Sequence, residues 1–327
     1  MESVTSADVA RDSGVSRTTV SYVLNDTPGV RVSDETRARV RASADRLGYH
    51  PSVAARTLRT GRSDLVLYVL PDWPLGPAVD TLLDHLAGEL AQRGLTLLVH
   101  HARSGRPLRE LWRTVTPLAV VGVLGFTRED REAMQRAGIR AIESPFSGDV
   151  PDVFAATQER IGRLQATHLV ARGCTVLGYA APTDSRVRLF AELRLAGVRA
   201  TCAEAGLPAP VVVPVELTTQ AARTALRTWR GGDAPVTGVA AYNDDVALAV
   251  LAAARAEGIA CPDQLAVVGV DDTTAAQFSV PALTTVAQSL DAQARHLAAA
   301  VVAALDHSGT AGPPPDDTLR LVVRGSA

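Results

Sequence analysis

Four polar side chains near the N-terminus are spaced so that they would share one face of a short helix. Arg17 and Ser21 are four residues apart, and Thr18 and Tyr22 repeat that spacing. Residues four apart are neighbours on a helix surface, and guanidinium, hydroxyl and phenol groups can hydrogen-bond to DNA bases and phosphates. The pattern therefore predicts a helix whose exposed face could contact nucleic acid.

The flanking residues predict a helix-turn-helix that would present this face to the major groove. Thr5 and Asp8 have the spacing of a capping box at the start of a first helix. Gly14 suits the left-handed end of that helix, and Ser16 can cap a second helix that runs through about Leu24. The apolar positions that would join the two helices are Val9, Ala10, Val15, Val20, Val23 and Leu24. A generic helical hairpin is the alternative, but the agreement of caps, turn and apolar spacing favours DNA binding.

The distribution of charge is compatible with this interpretation. The formal net charge is −2 and the chain contains no lysine, so each of its 33 basic residues is an arginine. Residues 1–62 contain ten arginines and seven acidic residues, whereas the remainder contains 23 and 28. Because phosphate attraction acts locally, the N-terminal excess matters more than the total. The excess is modest and decides nothing alone.

From Leu65 onward, short apolar runs alternate with alanine-rich segments of helix length. The runs are Leu65–Leu70, Leu95–Val99, Leu118–Leu124, Val176–Tyr179, Val211–Val215, Val239–Tyr242 and Leu265–Val270. Several of the helical segments end in a glycine followed by an apolar residue, which is typical of αβ loops. The pattern predicts an α/β fold with parallel sheets flanked by helices, and about ten strands suggest two lobes. Composition and spacing alone do not place the boundary between the lobes.

Two polar pairs follow predicted strands at the sheet edge where open α/β proteins bind ligands. Asn243 and Asp244 follow one strand, and Asp271 and Asp272 follow another. Capping of helices and loops is the alternative, since Asn and Asp do this routinely. From the residues alone, capping is the favoured interpretation.

Other function classes receive little support. With 46% hydrophobic and 21% charged residues, the composition is that of a globular protein, and no apolar run or signal-peptide pattern points to a membrane. Cys174, Cys202 and Cys261 are scattered, which favours buried reduced thiols over a metal site. No esterase, zinc-protease or Walker-type motif is present. We therefore expect a cytoplasmic protein that is not an enzyme and has no cofactor, no metal and no membrane partner.

The motifs closely resemble those of the lactose-repressor (LacI/GalR) family of transcriptional regulators, and the likeness continues to the last residues. Ser33 opens a third helix through about Leu47, and Gly48 stops it. The residues that carry the resemblance are Asp8-Val9-Ala10, Gly14-Val15-Ser16, Thr19-Val20-Ser21, Asn25, Thr36-Arg37, Leu47-Gly48-Tyr49, Ala55-Arg56, Leu58 and Arg59-Thr60-Gly61. A solute-binding protein of the same two-lobed fold is the alternative, but it would need a signal peptide and no helix-turn-helix.

The resemblance implies a domain organisation. An all-α helix-turn-helix domain would span 1–50, a hinge helix or linker 51–61, and a periplasmic-binding-protein-like core 62–327. Lobe one of this core would comprise about 62–158 and 290–316, and lobe two about 159–288 and 317–327. The C-terminal segment from Leu319 to Ser326 would be the closing strand of the core.

The resemblance also implies DNA contacts and a dimer. The positions are Thr5, Ser16, Arg17, Thr18, Ser21, Tyr22, Asn25, Ala55 and Leu58. Segment 52–60 is shorter than the roughly 12–15 residues that an isolated helix needs. We therefore expect it to be disordered alone and helical where two copies meet on a pseudo-palindromic operator, with Leu58 in the minor groove. A passive linker is the alternative.

For a small-molecule effector, the resemblance points to Asn243 and Asp271, with Arg194 as a forked donor. Asp244 is expected to cap the helix that follows. The segment Asp72-Trp73-Pro74-Leu75-Gly76-Pro77 replaces the Asn-Pro-Phe that the family usually has after the first core strand, and Leu217 stands where many relatives have an aromatic residue. The expected effector site is Asp72, Trp73, Arg194, Asn243 and Asp271. A sugar is the default ligand, and the alternatives are a nucleobase, another metabolite or no effector. The expected function is that of a homodimeric repressor.

Overall fold

We analysed a computed structural model, which describes residues 4–25, 29–49, 63–102, 107–113, 115–123, 125–143, 151–232, 234–306 and 318–327. The chain divides into two compact units, Met1–Ser63 and Asp64–Ala327, called the head and the core below. The hinge positions Ala55 and Leu58 lie outside the described residues. The finer limits of the head, the hinge and the two lobes stay a prediction.

The head contains three helices, α1 (Ser6–Ser13), α2 (Arg17–Leu24) and α3 (Asp34–Leu47). Gly14 and Gly48 end α1 and α3 in the left-handed region, with φ of +68° and +67°, as their positions predict. Ser33 caps α3, because its hydroxyl accepts a hydrogen bond from the Thr36 amide. The predicted helix-turn-helix is confirmed.

A small apolar core and a few polar contacts hold the head together. The buried side chains come from all three helices: Val9, Ala10, Val20, Val23, Val40 and Ala44. The Arg39 Nε donates to the Ser13 carbonyl at 2.9 Å. Hydrogen bonds from Ser43 and Arg46 to the Asp12 carboxylate lower the pKa of Asp12 and tie α3 to α1.

The first lobe of the core is built on a parallel sheet of order β2-β1-β3-β4. Its strands are β1 (Leu65–Leu70), β2 (Thr96–His101), β3 (Ala119–Gly122) and β4 (Arg140–Glu143), and its helices are α4 (Pro77–Ala91), α5 (Arg128–Arg136) and α11 (Leu290–Leu305), with a 3₁₀ turn at Leu108–Arg113. The helices α4 and α11 bury leucines and alanines against β1 and β3, whereas Met134 of α5 packs on the opposite face. Both faces of the sheet are therefore covered.

The second lobe has a six-stranded sheet of order β10-β9-β8-β7-β5-β6. Its strands are β5 (Leu177–Pro182), β6 (Val211–Val215), β7 (Gly238–Ala241), β8 (Ala266–Val270), β9 (Thr284–Gln288) and β10 (Leu319–Val322). Its helices are α6 (Pro151–Ala171), α7 (Arg188–Glu204), α8 (Thr219–Arg230), α9 (Asp244–Ala256) and α10 (Thr274–Phe278), with a 3₁₀ turn at Ser185–Val187. The helices α6 and α7 cover one face and α8 and α9 the other.

The structure differs from the predicted strands in two respects. Strands β4 and β9 contain arginine or threonine and do not form continuous apolar runs, so the search for such runs missed them. The closing strand β10 is present but runs antiparallel to β9. The chain reaches β10 through α11, which packs on the sheet of the other lobe, so β9 and β10 are not joined by a βαβ crossover of the kind that connects parallel strands.

Cys174 and Cys202 are buried and Cys261 is half-buried, all three as free thiols. Among the described helices, none is long and apolar enough to cross a membrane. No three His, Cys, Asp or Glu side chains of the described part lie close enough to hold a metal ion.

Candidate DNA-binding and effector sites

The second helix of the head presents polar side chains to solvent. Ser16 caps α2, because its Oγ accepts a hydrogen bond from the Thr19 amide at 3.1 Å. Arg17, Thr18 and Tyr22 are exposed, and Ser21 is half-buried. Within the described part of the head, the Arg17 guanidinium has no ion pair or hydrogen bond. The predicted contact face is therefore solvent-exposed, with its arginine unengaged.

Two other predicted DNA-contact residues are already used to hold helix ends. The Thr5 amide and hydroxyl both donate to the Asp8 carboxylate, at 3.0 and 2.7 Å, and these bonds lower the pKa of Asp8. The side-chain Nδ2 of Asn25 donates a hydrogen bond to the Ser21 carbonyl at 2.7 Å. A phosphate contact by either side chain competes with these bonds.

A cavity of about 440 Å³ opens between the two sheets of the core. It lies at the carboxyl ends of β1, β5, β7, β8 and β9, where open α/β sheets bind ligands. Its charged and amide-bearing lining residues are Gln158, Asp184, Arg194, Asn243, Asp245, Asp271, Gln288 and Gln293. Three predicted effector residues, Arg194, Asn243 and Asp271, therefore come together although they lie far apart in the sequence.

The position of Arg194 depends on a close crossing of α6 and α7. A Cβ atom at Gly162 would lie 1.9 Å from the Arg194 carbonyl oxygen, and one at Gly197 would lie 2.0 Å from the Glu159 carbonyl oxygen. Both distances are far below van der Waals contact, so only glycine permits this crossing. The two glycines therefore let α6 and α7 pack closely, and Arg194 of α7 bonds to Gln158 of α6 across this contact.

Hydrogen bonds then fix the guanidinium itself. Arg194 is only 5% exposed, its Nε donates to Gln158 Oε1 at 2.9 Å, and its Nη1 donates to the Tyr242 carbonyl at 2.5 Å. The guanidinium carbon also lies 4.8 Å from the centre of the Tyr242 ring, within cation–π distance. Its Nη2 makes no hydrogen bond with any described residue, which leaves one edge of the fork for a ligand.

The side chains of Asp271 and Asn243 are held by hydrogen bonds that do not involve Arg194. The Asp271 backbone has φ of +107°, and its carboxylate Oδ1 accepts a hydrogen bond from Gln288 Nε2 at 3.0 Å. Burial raises the pKa of Asp271, while Arg194 and Gln288 act in the opposite direction. The Asn243 side-chain oxygen accepts from the Val246 amide at 3.1 Å and so caps α9. Asn243 thus lines the cavity and is also a helix cap.

The prediction that Asp244 caps α9 is wrong. Asp244 is the first residue inside the helix and has no exposed surface. Its carboxylate accepts hydrogen bonds from the Thr285 hydroxyl at 2.6 Å and the Thr273 amide at 2.7 Å. Burial raises its pKa to about 6. Asp244 therefore connects α9 to β9 and to the loop after β8.

The segment after β1 contributes five lining residues, which are Trp73, Pro74, Leu75, Gly76 and Pro77. Trp73 makes an edge-to-face contact with Phe190 of the other lobe, with ring centres 4.7 Å apart and an interplanar angle of 76°. Asp72 lies outside the described lining, and its carboxylate is 3.8 Å from Arg186. Leu217 lines the cavity and is exposed.

Comparisons with known proteins agree with this geometry. A family model described as "Bacterial regulatory proteins, lacI family" matches residues 5–52, and one described as "Periplasmic binding protein-like domain" matches residues 166–327. The HTH-type transcriptional regulator reg1 of Streptomyces lividans is 31% identical, over 98% of this chain and 95% of the relative. The chain belongs to the LacI family. It is thus a DNA-binding transcriptional regulator.

Solved structures of LacI-family proteins share its fold. A transcriptional regulator CelR–cellobiose complex has 25% identity and a TM-score of 0.64, over 99% of this chain and 100% of the other. The Lac repressor dimer bound to operator and the anti-inducer ONPF has 22% identity and a TM-score of 0.74, over 99% of each chain. The two-lobed core of parallel sheets is therefore the LacI-family fold.

Sequence reasoning missed four residues that shape the cavity of this LacI-family chain. Phe190 is four residues before Arg194 on α7, so helix periodicity could have found it. Tyr242 directly follows β7 and precedes Asn243, so it could also have been found. Gln158 and Gln288 carry no such signal, because neither adjoins a recognised motif. They became visible only through their bonds to Arg194 and Asp271.

Proposed function

We propose that this LacI-family chain is a repressor that binds a pseudo-palindromic operator as a homodimer and responds to a small-molecule effector in the core cavity. The observation that carries the proposal is the cavity between the lobes, in which Arg194 keeps one nitrogen free for a ligand. A cytoplasmic regulator of this kind needs no catalytic group, no cofactor and no metal.

The DNA contacts follow from the exposed face of α2. Arg17 reads guanine through its two parallel N–H donors, Thr18 contacts the neighbouring base, and Tyr22 contacts a base or a phosphate. The remaining predicted positions orient the head by phosphate contacts or, in the hinge, occupy the minor groove. These are Thr5, Ser16, Ser21, Asn25, Ala55 and Leu58.

A homodimer fits the exposed apolar surface of the core. Phe278, the last residue of α10, is 78% exposed, and Val280, in the segment that joins α10 to β9, is 69% exposed. Large apolar side chains this exposed and this close together favour a protein contact. A two-fold dimer would present two heads to two half-sites, as in the Lac repressor dimer on its operator.

A hydroxyl-rich effector, by default a sugar, fits the polar groups. Arg194 would donate to a ligand oxygen through Nη2, and Asp271 would accept from a hydroxyl group. Asn243 would bond through its amide nitrogen, since its oxygen already caps α9. The similar regulator CelR was solved with cellobiose. Asp72 is not one of the proposed effector contacts, because it lies outside the described cavity lining.

The test is selection of operator sequences from random DNA with the full chain, followed by a screen of sugars for release of the selected operator. We expect a palindromic consensus with one strongly preferred guanine per half-site. A non-palindromic or flat profile would contradict the repressor proposal. If no sugar in the screen releases the operator while operator binding is intact, the sugar-effector part of the proposal alone is contradicted.

A further inference from the structure

We infer that Gln165 is a positioning residue of the effector site, because its side-chain amide holds the ends of β7 and β8 from which Asn243 and Asp271 reach the cavity. The inference rests on the proposed effector site. Gln165 itself lies outside the described cavity lining, so it acts through the two strands and touches no ligand.

Gln165 makes an unusual set of hydrogen bonds in the core of the second lobe. It has no exposed surface, although glutamine is mostly a surface residue. Its Nε2 donates to the carbonyl oxygens of Ala241, Val268 and Gly269, at 2.8, 3.0 and 3.2 Å. An amide nitrogen has two hydrogens, so the three acceptors share them. The opposite orientation of the amide would place its oxygen against three other oxygens, so the nitrogen must face the strands.

These bonds lie where the pairing of β7 with β8 ends. The last paired residues of the two strands are Ala240 and Val268. Beyond this pair, buried carbonyl groups need another donor, because an unpaired buried carbonyl costs free energy. The Gln165 amide supplies that donor to both strands at once. It therefore links β7 and β8 at the point where their own ladder stops.

The link is equally close in sequence to two of the expected effector residues. Asn243 follows Ala241 by two residues, and Asp271 follows Gly269 by two residues. Two residues of extended chain span only roughly 6–7 Å. A shift of either strand end would therefore move the side chain that lines the cavity.

The same face of α6 also supports the third effector residue. Gln158 lies seven residues before Gln165, which is two helical turns, so both side chains project from one face of α6. Gln158 Oε1 accepts the hydrogen bond from Arg194 Nε at 2.9 Å. One helix face thus contacts Arg194 directly and holds the strands that carry the other two effector residues.

An unmade hydrogen bond favours a positioning role over a purely structural one. The Gln165 Oε1 atom is buried and has no partner among the described residues. A buried acceptor without a partner lowers stability, and an apolar side chain that only filled the core would avoid this cost. Such violations of core-packing rules are expected at functional sites. The donor group of Gln165, which acts on the strand ends, accounts for the presence of a glutamine.

The test compares Gln165→Met, which has a similar shape but no donor, with the control Thr201→Val. Thr201 is buried in the same lobe, and its hydroxyl donates to the Gly197 carbonyl within α7 at 3.2 Å. The control therefore also removes a buried hydrogen bond but leaves β7 and β8 untouched.

Amide hydrogen exchange in the full-length protein reports the two strand ends. The Val246 amide donates to the Asn243 side chain, and the Asp271 amide donates to the Val286 carbonyl. In Gln165→Met, both amides should exchange at least ~10-fold faster than in the wild-type protein, because local opening becomes easier. In Thr201→Val, both should stay close to the wild-type rates. Equal rates in the two variants would overturn the proposal.

Gln165→Glu gives a readout that a space-filling role would not change. A protonated glutamate can donate to the strand carbonyls, whereas a carboxylate has only acceptors. Exchange is compared with the wild-type protein at the same pH, so that the titration of Asp244 and Asp271 cancels. We expect rates close to wild type at pH 5 and at least ~10-fold faster at pH 9. The same ratio at both pH values would overturn the proposal. This variant also provides the test if Gln165→Met does not fold.

Sugar binding separates this inference from the proposed function. Calorimetry of the full-length protein with glucose, galactose and cellobiose should show that any of these that binds the wild-type protein binds Gln165→Met at least ~10-fold more weakly. Thr201→Val should keep the wild-type affinity. A bound sugar that keeps its affinity in Gln165→Met would overturn the positioning role. If none of the three binds, their part of the proposed function fails, and the exchange rates at Val246 and Asp271 still decide the role of Gln165.

Discussion

The contact face of α2 and the effector cavity both rely on arginine, but they hold it in opposite ways. Arg17 is exposed and has no partner among the described residues of the head. Arg194 is buried and fixed by Gln158 and by the Tyr242 carbonyl. The first side chain must become ordered when it binds, whereas the second is ordered before any ligand arrives.

This difference has consequences for what each arginine can do. An exposed guanidinium is screened by salt and must lose its side-chain freedom when it contacts a base, which reduces its net contribution to binding. A buried, bonded guanidinium offers one edge in one orientation, so it discriminates by geometry. Removing Arg194 should therefore affect both folding and effector binding, while removing Arg17 should affect DNA recognition alone.

The largest expected effect comes from Arg194→Ala. The substitution removes the ligand contact at Nη2, and the affinity for an effector found by screening should fall at least ~100-fold, equivalent to about 2.7 kcal/mol. It also leaves the Gln158 oxygen and the Tyr242 carbonyl without their donor, which should cost roughly 1–3 kcal/mol of stability. Calorimetric titration and denaturant unfolding measure the two effects.

Arg199→Ala is the matched control, because Arg199 is exposed on the same helix. It should leave both the effector affinity and the unfolding midpoint close to those of the wild-type protein. Arg194→Lys keeps the charge but loses the fork, so it should recover only part of the affinity. Unchanged stability in Arg194→Ala would show that the bonds to Gln158 and Tyr242 do not organise the cavity.

A smaller effect is expected for Arg17→Ala. Loss of a two-donor contact to guanine should reduce discrimination at one position of each half-site by roughly 1–3 kcal/mol. Unfolding of the head should be nearly unchanged, because Arg17 has no described partner to lose. Selection from random DNA measures the preference, with Arg17→Lys as a control that preserves the phosphate attraction but not the fork. An unchanged selection profile for Arg17→Ala would remove Arg17 from base recognition.

The same contrast explains which features could be predicted from the sequence. The caps and turn of the head use neighbours within a few residues, such as Ser16 with Thr19, so local spacing was sufficient. Apolar runs likewise predicted most core strands. The cavity depends on the backbone contacts at Gly162 and Gly197 and on Gln158, which join segments distant in sequence.

Asp244 shows why even a correctly chosen position can be misread. Sequence spacing makes both Asn243 and Asp244 plausible caps of α9, and only the three-dimensional structure reveals that Asp244 faces Thr285 and Thr273. Gly269 adds to this arrangement, because a Cβ atom there would lie 2.2 Å from Asp244 Oδ1. No local pattern signals a close approach between a carboxylate and a strand glycine.

The smallest expected effect concerns the pH dependence that this buried carboxylate creates. The pKa of Asp244 rises from an ordinary 3.8 to about 6 in the folded protein, chiefly through burial. The folded state therefore binds a proton more readily than the unfolded state between these values, and stability falls as pH rises through about 6. Asp271, whose pKa is also raised, acts in the same direction.

Asp244→Asn isolates this contribution. An asparagine can accept from the Thr273 amide and donate to the Thr285 hydroxyl, so the connection between α9 and β9 is kept while the titration is removed. Between pH 7 and pH 5, the wild-type protein should gain about 1 kcal/mol of unfolding free energy relative to the variant. Urea unfolding at the two pH values measures this difference, and the comparison cancels most of the opposing effect of carboxylates with lowered pKa, such as Asp12 and Glu257. If the wild-type protein instead loses stability relative to Asp244→Asn on going to pH 5, the Asp244 carboxylate is stabilised in its charged form, and its surroundings are less desolvated than its burial indicates.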